Sequence, residues 1–204
     1  ASKAIGFNSD ADGLTSVSAT SMVLIKSQTA SSSSTISFVD GTSDVVLDNT
    51  YPIYKFVFIN IHPSNDSAQF KFNLSVDTGS NYNVAKTTTF FKAYHKEDGT
   101  SSALGYEASD DLAQGTGSQF LSSVIDNDND ACWDGMMHLY NPSSTTFVKN
   151  FVSTGASLGA AVFSYNDFVA GYGNTTSAVD AVQFTMSAGT IDSGTIKLYG
   201  IKDS

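Results

Sequence analysis

The sequence predicts an all-β fold, an antiparallel two-sheet β-sandwich of jelly-roll-like type with about ten strands. Three observations predict it. Short apolar runs with two-residue alternation recur between clusters of Gly, Asn, Ser and Asp. No segment carries sustained helical periodicity with a cap at each end. Strands that follow one another without intervening helices pair antiparallel. A closed up-and-down barrel is the structural rival.

The elements follow in order. SMVLIKSQT (21–29) is the first β-type run, and the small polar stretch ASSSS separates it from TISFVD (35–40). A turn-rich link leads to IYKFVFINIH (53–62), apolar on both faces: Tyr54, Phe56 and Phe58 on one, Val57, Ile59 and Ile61 on the other. That pattern predicts a central strand covered on both sides. QFKFNLSVD (69–77) alternates, with Phe70, Phe72, Leu74 and Val76 expected inward and Lys71, Asn73, Ser75 and Asp77 outward. VAKTTTFFKAYH (84–95) is the next strand. Residues 97–135 are the least regular part, with a short strand or a turn of helix expected near 119–125. Strands at 136–141, 145–154, 161–172, 178–187 and 194–202 complete the set. Residues 1–20 hold few large apolar side chains and read as an extended N-terminal arm, leaving 21–204 as one sandwich domain.

Composition narrows the function classes. Of 204 residues, 41% are hydrophobic, enough to build a core unaided. Only 15% are charged, so the polar surface falls mainly to Ser, Thr, Asn and Gly. Acidic residues number 20 against 10 basic ones, and the lysines are scattered singly. A nucleic-acid partner requires a basic stripe, and an anionic membrane surface favours one too, so neither is expected. No stretch of 18 apolar residues predicts a membrane-spanning helix. The start, ASKAIGFNSDADG, lacks the apolar core of a signal peptide and reads as a chain made in a cytoplasm. The single cysteine, Cys132, leaves no internal disulfide and is expected as a small buried apolar residue beside Trp133.

One stretch raises a question of chemistry. In VIDNDNDACWDG (124–135), Asp126, Asp128 and Asp130 match the first three ligand positions of an EF-hand loop. The sixth position, which needs Gly for its sharp turn, is Ala131, and the twelfth, which needs Glu, is Met137. A calcium loop on these three carboxylates and a plain acidic turn are the two readings. Otherwise no cofactor is expected. His62, His95 and His138 show no metal-ligand spacing, and no G-x-S-x-G elbow is present. The glutamates, Glu97 and Glu107, both fall in the irregular segment, so paired catalytic carboxylates are not expected. Tyr82, Tyr94, Tyr106, Tyr165 and Tyr172 offer stacking faces should a glycan be bound.

IYKFVFINIHP (53–63), TTTFFKAYH (87–95), HLYNPSSTTFVK (138–149), GYGNTTSAVDAVQF (171–184) and GTIDSGTIKLYGIK (189–202) resemble virion structural proteins of tailed phages of marine bacteria, cyanophages included. The resemblance covers roughly residues 50–202; residues 1–20 carry none of it, and the DNDND loop gains no support from it. It implies a non-enzymatic component of the particle, made in the host cytoplasm. The expected role is a capsid decoration or cement protein on the outer shell, with the major capsid protein as partner and a homo-oligomer, a trimer by analogy, as its form. The alternative is a tail fibre or receptor-binding protein that recognises host-surface glycan.

Overall fold

A computed structural model describes residues 3–7, 14–18, 21–159 and 161–202, the first two stretches as backbone only. The arm expected over residues 1–20 lies partly outside the described residues. Within it, β1 (Lys3–Phe7) and β2 (Leu14–Ser18) pair antiparallel as a two-stranded sheet of their own.

The rest forms two antiparallel sheets. The strands are β3 (Met22–Thr29), β4 (Ile36–Val39), β5 (Ile53–Pro63), β6 (Phe70–Ser75), β7 (Lys86–Lys96), β8 (Ser102–Tyr106), β9 (Gln119–Phe120), β10 (Trp133–Tyr140), β11 (Lys149–Gly159), β12 (Phe163–Gly173), β13 (Ala181–Met186) and β14 (Ile191–Ile201). The large sheet has the order β3-β14-β5-β10-β11-β12-β7-β8 and the small one β4-β13-β6-β9. The chain crosses repeatedly between the sheets and both keep free edges, so the fold is a sandwich and not a closed barrel. Twelve strands replace the expected ten because β8 and the two-residue β9 join the set. Every residue of β8 is exposed. An edge strand with no buried side imposes no alternation on its sequence, which is why the segment reads as irregular.

The core lies between the sheets and is mainly phenylalanine. Phe184 of β13 is its centre, packed edge-on against Phe58 at 5.1 Å and Phe56 at 5.2 Å and stacked on Phe70 at 5.6 Å. Phe38, Phe56, Phe70, Phe72 and Phe184 are fully buried. Each such ring stabilises the fold by roughly 1.5–3 kcal/mol through burial, and the edge-to-face geometry adds to that.

Two expected facings are corrected. Ile61 joins Tyr54, Phe56 and Phe58 on the core face instead of siding with Val57 and Ile59. Asn60 sits at φ 51° and the register of β5 against β10 slips there, a bulge that shifts the phase by one residue. The Asn60 amide leaves the ladder and donates to Asp134 Oδ1 at 2.8 Å. β5 is a central strand, but Val57 and Ile59 are only half-buried, since no described layer covers that side. On β6, Phe70, Phe72 and Leu74 are buried as expected, but Asn73 and Ser75 are buried too, and Val76, just past the strand, is exposed. Asn73 Nδ2 donates to Tyr82 O at 2.6 Å and Thr116 O at 3.1 Å, so two loops roof this face of the small sheet.

Candidate functional site

The acidic loop leads into β10, and one side chain fixes the region. Trp133, fully buried, is the first residue of β10. Its indole lies over Gly135 and Gly155, paired across β10 and β11; a Cβ on Gly135 would meet Trp133 Cη2 at 2.7 Å. Only glycines leave room for the ring. Trp133 Nε1 donates to Asp167 Oδ2 at 3.3 Å, and Ser123 Oγ donates to Asp167 Oδ1 at 2.6 Å. Asp167 faces the core from β12. Burial pushes its carboxyl up to about 6, against the two donors and Lys92, which favour the charged form.

Around this anchor lie two open clefts. One, of about 440 Å³, is lined by His95, Glu97, Asp126, Asp128 and Asp130 beside Leu158 and Val162. The other, of about 480 Å³, holds Asn60, His62, Asp130, Cys132, Asp192 and Ser193. The three carboxylates singled out in the sequence therefore share a cleft wall. Asp126 Oδ1 accepts the Asp128 amide at 3.2 Å, an Asx-type turn. Among the described residues, no group of three or more His, Cys, Asp or Glu comes together in a metal-holding arrangement.

The other reactive groups are also committed. Cys132 is half-buried, more open than expected; burial, and then the neighbouring Asp134, push its thiol up to about 11, so it stays protonated at neutral pH. His62 Nδ1 bonds Ala131 O at 2.7 Å, which ties the loop to β5. His138 lies further along the side of the large sheet that faces away from the core, stacked on Tyr140. Lys86 is fully buried, and burial holds its ammonium down to about 8. Its Nζ is used by Asn73 Oδ1 and Val84 O, and it lines neither cleft. Sequence reading missed Asp167 and Lys86 altogether; an inward phase for a charged residue within an alternating strand is the signal that marks both.

The broadest feature is the outer face of the large sheet. Registers and burial place Val57, Met136, Thr154, Phe168, Phe91 and Tyr106 in one row across six strands. Beside it run Leu24, Tyr199, Lys55, His138, Val152 and Ala170. Phe91 and Phe168 stack at 4.9 Å. Met136, Val152, Leu24 and Tyr106 are each at least 37% exposed, so the apolar surface faces out along the width of the sheet. Along the central rows the charged residues, among those described, are Lys55 and Lys197, and Asp134 stands at the bulged end where the two acidic clefts open. Proteins seldom leave so wide an apolar face uncovered unless it meets another surface.

Comparison with protein-family models, curated proteins and solved structures finds no match for this chain.

Proposed function

We propose that this chain is a non-enzymatic structural protein of a phage virion, which decorates the outer capsid surface and works by docking protein faces together. The observation that carries the reading is the outer face of the large sheet, eight strands wide and, along its central rows, largely apolar with little charge on a chain of net charge −10. Assembly proteins need such surfaces; turnover needs a convergent acid, base or nucleophile. The groups with chemical potential are tied up elsewhere: Asp167 by Ser123 and Trp133, Lys86 by Asn73, Cys132 by its raised thiol. The acidic clefts at the loop end supply a second, negatively charged surface suited to basic patches on a shell.

The test is co-sedimentation of the purified protein with phage heads that lack it and, separately, with host cells. Saturable binding to heads in many copies is the expected result. Binding to cells alone would transfer the function to receptor recognition on a tail, and binding to neither would refute both.

A further inference from the structure

We infer that the outer face of the large sheet is the seat of a second copy of this chain, packed face to face about a two-fold axis that runs along the strands between β10 and β11. The inference rests on the assembly reading above and names the partner of its main surface.

Size is the first argument. Eight strands at about 4.8 Å spacing make the face about 38 Å wide, and strands of 11 residues run about 36 Å. A stable interface buries about 800 Å² on each partner, so even the central two-thirds of this face is large enough.

Charge is the second. Across the central rows of this face the registers place no acidic residue among those described; its carboxylates gather at the loop end, where Asp134 stands on β10 and Asp126, Asp128 and Asp130 wall the cleft shared with His95, Leu158 and Ser164. Two copies with net charge −10 repel each other through most orientations. The central rows are where two copies can meet without opposing carboxylates, while the two-fold sets the acidic loop ends side by side, a repulsion that salt screens.

Self-complementarity is the third, because a two-fold contact requires that the same patch match itself. β10 and β11 are the middle strands of the eight. Rotation about an axis between them sets β5 against the partner's β12, and β14 against the partner's β7. Val57 then faces the partner's Phe168, and Lys197 faces the partner's Phe91, half of the stacked pair. Lysines on one half of the face meet aromatic rings on the other, a cation–π pairing made twice by symmetry, and Lys197 does not meet its own copy.

The experiment is light scattering on size-exclusion fractions of the whole chain across a dilution series, for the wild type, Met136→Glu and Phe91→Glu. Both side chains point outward, and circular dichroism with thermal unfolding checks that each variant folds. The wild type is expected at twice the chain mass of 21.5 kDa. Met136→Glu places carboxylates near the axis and is expected to halve the mass. Phe91→Glu sets a carboxylate opposite the partner's Lys197 and is expected to keep the pair, now sensitive to salt. A monomeric wild type, or any oligomer whose mass survives Met136→Glu, overturns the inference. Head binding by the same proteins separates the two claims. A monomer that loses head binding on Met136→Glu means the shell covers this face: the inference falls and the decoration role stands. A dimer broken by Met136→Glu that never binds heads leaves the inference standing and removes the role.

Discussion

Replacing Asp167 by Asn gives the sharpest test of the buried network beneath the acidic loop. The folded carboxyl sits at about 6 against an unperturbed 3.8, chiefly because it is buried. That difference corresponds to about 3 kcal/mol of destabilisation at pH 7, where the folded protein holds the charge in its core. Between pH 3.8 and 6 the folded state binds the proton more readily than the unfolded chain, so this group adds stability as pH falls and withdraws it as pH rises. From pH 7 to pH 5 the gain is about 1 kcal/mol. His138 acts in the opposite direction: burial first, then Lys55, lower its pKa, so acid favours the unfolded chain through it. The quantity to read is therefore the difference between wild type and variant, from urea unfolding followed by Trp133 fluorescence at pH 7 and pH 5. The side-chain amide of Asp167→Asn keeps an oxygen to accept from the Trp133 indole and turns its NH₂ to Ser123 Oγ, which then accepts. The variant is expected to be at least as stable as the wild type at pH 7, with its advantage smaller by about 1 kcal/mol at pH 5. A gap that stays constant from pH 7 to 5 would refute the claim that Asp167 is buried as a strained charge.

Two further outcomes follow from the same region. Gly155→Ala drives a methyl group into the Trp133 ring and is expected to cost about 1–3 kcal/mol, with a red shift in the folded emission as the indole moves; an unchanged midpoint would mean the ring does not rest on that glycine. At the β5 bulge, Asn60 holds φ 51°, so Asn60→Gly should leave the urea midpoint nearly unchanged while Asn60→Val loses about 1–2 kcal/mol. Equal stability of the two would show that the bulge is not held in the left-handed region.

The sequence by itself determined the class of fold, and the reason is local. A strand with one buried face must alternate, and Phe70, Phe72 and Leu74 do so visibly. The turn residues between such runs set the strand count to within two strands, β8, which is exposed throughout, and β9, which is only two residues long. Asp126, Asp128 and Asp130 were legible as a group, and they do line one cleft. Their spacing could not say whether they converge, because that depends on a turn whose course is set by Trp133 below it.

What only the tertiary structure decided are the properties that depend on distant partners. Lys149 begins β11 facing inward, and its ammonium is satisfied by Ser144 O at 2.6 Å, Phe147 O at 2.7 Å and Thr175 O at 3.2 Å, from two separate loops. Nothing near it in the chain announces a buried cation. The phase of Asp167 in its strand marks it as inward, but what satisfies it comes from Ser123, 44 positions earlier, and Trp133, 34 positions earlier. The outer face follows the same rule. Val57 and Phe168 are half-buried and Met136 and Phe91 exposed, on four separate strands, and only the strand order lines them up as a continuous surface. Alternation along the chain says that a side chain leaves its strand on one side or the other; which strands stand next to it, and whether a layer covers that side, is settled by long-range pairing, which the local pattern does not encode.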